Sequence, residues 1–301
     1  MKAENANDLY YYLPMADDSC WRVKACDPRL APFVARYAAV CSMGVELPGT
    51  PEKFLSCHVD SFANLESFRQ KHPDLIETGR RHYFRIFFDP SFENSFMFYN
   101  LEEFRTKTMQ TLAVNNIGSA FQLQMVGREN CAPCHCALVT INGRGAVIGG
   151  RGDSGKTTCA RRLPKPHRVL ADDYALLFEH QGRLLAQAMP TWSNLTNGNT
   201  DYKADCSLIT EVATFFFMRQ SRDDSVVPIN GIEAVTNMNA VLQDLLCVRI
   251  LSDMPDSLKA QLRNHIFDFA GRIVNGKPIG MLYASLHGNF WHTMESFLNA
   301  G

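Results

Sequence analysis

The chain has 301 residues, 46 % of them hydrophobic, which is enough for one large domain or two modest ones with a real core. Thirty basic residues stand against 31 acidic ones, so no strong field draws in nucleic acid or acidic lipid. No apolar run approaches the roughly 18 residues of a membrane span, and "MKAENANDLYYYLPMADD" contains no secretory apolar segment, which predicts a cytoplasmic chain with no membrane role.

Residues 1–130 are rich in aromatics, in "DLYYYL", "FVARYAAVC" and "SFMFYNLEEF". "RHYFRIFF" alternates and predicts a strand, and "NLEEFRTKTMQTLAV" has helical spacing with Asn100 as its capping residue. No constellation with chemistry stands here, so 1–130 reads as a smaller accessory α+β region. The domain that carries the chemistry is expected over 131–301.

From Cys134 the pattern changes. "HCALVTI", Asn142-Gly143 and "RGAVIGG" predict two apolar strands around a two-residue hairpin. A helix over "SGKTTCARRL" should follow and stop at Pro164 and Pro166. "HRVLA" predicts a buried strand ending at Asp172-Asp173, with a hairpin after it turning at Gln181-Gly182. "TFFFMRQ" reads as a strand, and "IEAVTNMNAVLQDLL" and "SLKAQLRNHIFDFAGRIV" as helices.

The stretch 150–158, Gly150, Arg151, Gly152, Asp153, Ser154, Gly155, Lys156, Thr157 and Thr158, fits the phosphate-loop pattern G-x-x-x-x-G-K-[ST] without a mismatch. Its glycines let backbone N–H groups turn toward phosphate oxygens, and the helix N-terminus adds partial positive charge. In that pattern Lys156 reaches the β- and γ-phosphates of ATP, and the Thr157 hydroxyl binds Mg²⁺. Carboxylates at a strand end beside such a loop, Asp172 and Asp173, are placed to hold the cation and to accept a proton from an attacking hydroxyl. A turn or cap after the strand would also satisfy them. A strand that enters the loop as the second arm of a hairpin departs from ordinary doubly wound P-loop enzymes, whose neighbouring strands are parallel.

"CHCALVTINGRGAVIGGRGDSGKTT…HRVLADDYALL" resembles the kinase domain of HPr kinase/phosphorylase, whose fold is related to that of phosphoenolpyruvate carboxykinase. The resemblance is specific over about 134–178, looser to about 230, and leaves out 1–130. It implies an α/β domain with a mixed sheet of the HPr-kinase/PEP-carboxykinase type. It also implies phosphoryl transfer from ATP to a protein serine, with His135, Lys156 and Asp173 in the active site and Thr157 and Asp172 on the magnesium side. HPr kinases assemble as homo-oligomers, although no residue here demands one. The family's metal-binding glutamate segment is replaced by "QAMPTWSNLTNGN", and its phosphorolysis segment is not found, so neither dephosphorylation nor HPr as substrate carries over. "PTWS" is closer to divergent HPr-kinase-related proteins of peptide-modification cassettes, among them the SynChlorMet cassette protein ScmC family and lasso-peptide precursor kinases. Those resemblances imply a peptide or small protein as substrate, and radical-SAM or PqqD-like proteins as cassette partners. A nucleotide-binding scaffold without catalysis and a small-metabolite kinase stay open as alternatives.

The remaining features are weighed more plainly. Cys131-Ala-Pro-Cys134-His135 spells a haem attachment site, which belongs to exported proteins; no function ranks first for Cys131, Cys134 and Cys136, a redox dithiol or zinc site second, and haem last. The other seven cysteines read as reduced, mostly core residues. Arg219 and Arg222 read as a solvated turn before a phosphate contact, His287 and His292 as structural, and Trp192 as packing before a peptide groove.

Overall fold

The computed structural model describes residues 9–46, 53–196, 199, 201–244 and 253–300. In chain order its elements are β1 (Tyr11–Pro14), β2 (Cys20–Ala25), α1 (Ala31–Val40), β3 (Phe54–Ser61), α2 (Leu65–Lys71), β4 (Ile76–Thr78), β5 (Phe84–Phe88), β6 (Asn94–Tyr99) and α3 (Lys107–Val126). There follow β7 (Cys131–Ile141), β8 (Arg144–Gly149), α4 (Lys156–Arg162), β9 (Arg168–Ala171), β10 (Tyr174–His180), β11 (Arg183–Ala188) and α5 (Trp192–Thr196). The last are β12 (Ile209–Gln220), β13 (Ser225–Pro228), α6 (Gly231–Gln243), α7 (Asp256–Gly276), β14 (Ile279–Ala284) and α8 (Phe290–Ala300). None of the described helices is long and apolar enough to cross a membrane.

The chain divides into two compact units. The first comprises Met1–Arg128, Trp192–Ser207 and Val248–Lys259, the second Glu129–Thr191, Leu208–Cys247 and Ala260–Gly301.

In the first unit six strands form a mixed sheet in the order β1-β2-β3-β6-β5-β4, with β2, β3 and β6 mutually parallel. Many of its aromatics fill the core, whereas Phe33, Phe62, Phe68 and Phe96 are only partly buried. Trp21 lies edge-on to Phe121 at 4.8 Å, and Tyr37 stacks on Trp192 at 5.6 Å. The Gln124 side chain is fully buried among them, and it is satisfied. Gln124 on α3 accepts from the Trp21 indole N–H at 2.6 Å and donates to the carbonyls of Ser56 and Glu93 at 3.0 and 2.8 Å. The α3 helix starts later than expected. Thr106 caps it by accepting from the Met109 N–H at 3.2 Å, whereas Asn100 precedes a short 3₁₀ turn and makes no side-chain cap.

The second unit is built on an eight-stranded mixed sheet in the order β11-β10-β7-β8-β12-β14-β13, with β9 paired to β7. The β7–β8 hairpin forms as its sequence predicts, with Asn142 and Gly143 at φ 50° and 81°, the left-handed pair such a two-residue turn requires. β7 begins earlier than expected, at Cys131, because residues 131–135 pair with β10 before the chain reaches β8. β12 runs parallel to β8 on one side and to β14 on the other. Its first residues also pair with β11, so β11, β10, β7, β8 and β12 close a ring of pairings. β9 is not a buried strand: it pairs only with the outer half of β7, and Val169 is 41 % exposed. The α6 helix ends at Gln243, and the expected continuation through Leu245 and Leu246 lies outside the described residues, as does Cys247. Apolar residues of β7, β8, β12 and β14 pack against Cys159 and Ala160 of α4 and Phe290, Met294 and Leu298 of α8, fixing the helix that follows the glycine loop.

Candidate active site

Residues 150–155 connect the C-terminal end of β8 to the N-terminus of α4, where parallel strands of an α/β sheet place ligands. Glycine is required at two points. Gly155 takes φ 99°, and a Cβ on Gly150 would lie 2.6 Å from the Ser154 hydroxyl. Asp153 also adopts a left-handed conformation, φ 61°. β12 braces the loop from the side: Gln220 donates from Nε2 to the Asp153 carbonyl at 3.1 Å. Lys156 opens α4, and its ammonium turns back into the loop, donating to the carbonyls of Gly150 and Arg151 at 2.8 and 3.2 Å. Burial draws its pKa down, against the attraction of Asp173.

A cleft of about 460 Å³ opens beside this loop, lined by His135, Gly152, Asp153, Gly155, Lys156, Thr157, Thr158, Asp173 and Gln220. His135 comes from the middle of β7, directly opposite Tyr174 of β10, and Asp173 from the turn between β9 and β10. The backbone locks these two strands at that level, since the Cys136 N–H donates to the Asp173 carbonyl at 3.1 Å. His135 Nε2 meets Asp173 Oδ1 at 3.1 Å, and His135 Nδ1 meets Asp244 Oδ2, just past α6. The hydrogen bond to Asp173 is the main influence raising the His135 pKa above the ordinary histidine value, opposed by burial and helped by Asp244. The same bond is the main influence holding Asp173 below the usual carboxylate range.

Not every expected residue faces this cleft. The Asp172 carboxylate is turned aside: Oδ1 accepts from the Thr191 hydroxyl, and Oδ2 lies 3.9 Å from Arg161. Thr157 donates its hydroxyl to the Asp172 backbone carbonyl at 3.3 Å rather than to the carboxylate. Gly150, Arg151 and Ser154 face a second cavity on the other side of the loop, shared with Arg219 and Asn237. Arg219 is therefore a residue of β12, in register with Tyr283, and not part of a turn. His292 donates from Nδ1 to the Glu295 carboxylate at 2.9 Å on α8, a local helix contact.

The cysteine cluster is buried within β7. Cys131 and Cys134 are three residues apart on an extended strand, so their side chains point to opposite faces with Cα atoms about 10 Å apart. That separation exceeds the roughly 7 Å limit for a disulfide. Burial pushes the Cys136 thiol well up. Among the described residues no group of three or more His, Cys, Asp or Glu side chains is arranged to hold a metal ion.

Sequence reasoning missed Gln220, Thr191 and Asp244. Gln220 was within reach, because it ends a strand neighbouring the loop strand. Asp244 lies 109 positions from His135, with nothing local to flag it.

These features define a mixed α/β protein on two mixed sheets, with a glycine-rich loop leading from a sheet strand into a helix beside a histidine-carboxylate cleft. The chain belongs to the SynChlorMet cassette protein ScmC family, whose model matches residues 97–299. Among solved structures it is similar to the Hpr(Ser) kinase/phosphatase from Coxiella burnetii, at 11 % identity and a TM-score of 0.29 over 56 % of this chain and 88 % of that one. No curated protein matches the chain.

Proposed function

We propose that the protein is a kinase that transfers the terminal phosphoryl group of ATP to a hydroxyl, a serine in the leading case, on a peptide or small protein. The observation that carries this reading is the convergence in one cleft of the glycine loop, Lys156 and the His135–Asp173 pair. One detail fits a phosphate group in the loop: the Ser154 hydroxyl is buried without a hydrogen-bond partner. Thr157 and Asp172 supply hard oxygen donors of the kind magnesium takes, with Asp172 released from Thr191.

Bound MgATP supplies the phosphoryl group and a cation that neutralises charge on its oxygens. The chain's residues do the rest. Lys156 exchanges the Gly150 and Arg151 carbonyls for phosphate oxygens, and the loop N–H groups bind others. Asp173, kept ionised by His135, accepts the acceptor's proton at its free oxygen as the hydroxyl oxygen bonds to the γ-phosphorus. The bond from that phosphorus to the β–γ bridging oxygen breaks, and ADP leaves. Residues 1–130 are assigned an accessory role, and 131–301 the chemistry. The family's name ties its members to a cassette, so peptides encoded beside the gene are the first acceptors to try.

The experiment is incubation of purified protein with γ-labelled ATP, Mg²⁺ and those peptides, beside Lys156→Ala and Asp173→Asn. Label on a peptide serine that disappears in both variants supports the reading. Undiminished transfer in Lys156→Ala overturns the mechanism, and ATP binding with no transfer to any acceptor leaves a nucleotide-binding scaffold.

A further inference from the structure

We propose that Asp244 is a positioning residue of this cleft: by holding His135 Nδ1 it fixes the imidazole so that Nε2, and through it Asp173, is aimed into the cleft. What the aim serves rests on the phosphoryl-transfer reading; the positioning itself does not.

Three observations converge on Asp244. Its Oδ2 meets His135 Nδ1, while the opposite nitrogen of the same ring meets Asp173 Oδ1 at 3.1 Å. A ring held at both nitrogens cannot turn about its Cβ–Cγ bond without breaking a contact, so the Asp173 oxygen facing it is fixed as well. Next, Asp244 stands where helix chemistry disfavours it. It caps the C-terminal end of α6, the negative end of the helix dipole, and no basic residue in the last turn offsets it. A local rule broken without local compensation points to a role elsewhere in the fold. The compensation here is His135, whose side chain is only 16 % exposed.

The charge arrangement agrees. A neutral imidazole donates from one nitrogen only, whereas two carboxylates facing it both call for a donor, which favours the doubly protonated ring. The groups acting on that ring are Asp173 from the β9–β10 turn and Asp244 from α6, with Lys156 of α4 opposing them. With one Asp173 oxygen committed to His135, the other is left to meet an acceptor hydroxyl. Without Asp244 the ring keeps a single tether, and Asp173 loses its fixed orientation.

The test uses the full chain with Asp244→Ala and Asp244→Asn. Removing a carboxylate from the end of a helix favours the helix, so both variants are expected to fold. The first readout needs no nucleotide: the ring ¹⁵N shifts of His135. Wild type should show both nitrogens protonated to a higher pH than Asp244→Ala. The second is steady-state transfer. Asp244→Ala should lower kcat by about tenfold to a hundredfold while KM for ATP stays within about twofold, the pattern of lost orientation rather than lost nucleotide binding. Asp244→Asn, which keeps an acceptor oxygen in place, should recover most of kcat. Wild-type ring shifts and kcat in Asp244→Ala would overturn the proposal, as would a drop in stability with neither readout moved. If wild type transfers nothing, the ring shifts still decide the positioning, and only the kinase reading falls.

Discussion

Gly150→Ala is the perturbation that most directly probes the loop. The new Cβ would lie 2.6 Å from the Ser154 hydroxyl and 3.2 Å from the Ser154 Cβ, so roughly 1 Å of overlap with the hydroxyl must be relieved by turning the Ser154 side chain or by moving the loop, and the buried hydroxyl favours the second. A loop displacement of that size misaims the N–H groups that the kinase proposal assigns to phosphate oxygens. Nucleotide affinity should fall about tenfold to a hundredfold, which is ~1.4–2.8 kcal/mol. The steric origin of the loss is checked in a Ser154→Ala background, where the hydroxyl is absent and only the 3.2 Å contact is left. There the same substitution should weaken binding by less than about threefold. Calorimetric titration with ATP and Mg²⁺ at fixed salt, over the four proteins of this cycle, reads both numbers. Equal penalties in the two backgrounds, or none in either, would refute the argument that this loop is packed to exclude a side chain at 150.

Further predictions test the scaffold and the charges. Gln124→Met should strand the Trp21 N–H and take one hydrogen bond from each of two carbonyls, of which that of Glu93 keeps the Ser56 N–H, lowering unfolding free energy by about 1–3 kcal/mol in a denaturant titration. Gly145→Ala would bring a Cβ within 2.3 Å of the Glu211 carbonyl oxygen at the β8–β12 pairing, and thermal melting should show a loss of at least about 1–3 kcal/mol. The His135 pKa is raised on folding, so its contribution to stability is full below about pH 6.5 and is lost as pH rises through its higher folded value. Asp173 is depressed, so its contribution is full above about pH 3.9 and is lost as pH falls through its lower folded value. His135→Gln should therefore flatten the alkaline side of a stability–pH curve and Asp173→Asn the acid side. Treatment of native protein with oxidised glutathione, followed by peptide mapping, should yield no Cys131–Cys134 disulfide.

What could be read from the sequence was what depends on near neighbours. The β7–β8 hairpin follows from Asn142-Gly143 between apolar runs, and the β10–β11 hairpin from Gln181-Gly182, both residues of which take positive φ. Helix α4 follows from the glycines before it and the prolines after it. The helix start at Thr106 was missed because Asn100 is an equally good cap by type, and only the 3₁₀ turn over Leu101–Glu103 separates them. β9 was misjudged because an apolar "VLA" carries no mark of having a partner on one side only. The site divides in the same way. Its loop and aspartates announce themselves by spacing, whereas Asp244 and Thr191 reach it through tertiary contacts.

The closed ring of pairings in the second unit has a consequence for solubility. A strand with an unpaired side is a template on which another chain can add, and the hazard grows with its length. Here the two longest strands, β7 with 11 residues and β12 with 12, have neighbours on both sides, and β11 is sealed by β12. Among the described residues of that sheet, the outer positions fall to β9 and β13, four residues each, the second ending in a proline that offers no N–H. A concentrated solution of this protein thus meets only short, blunt margins on that sheet, and the phenylalanines of β12 stay out of intermolecular registry.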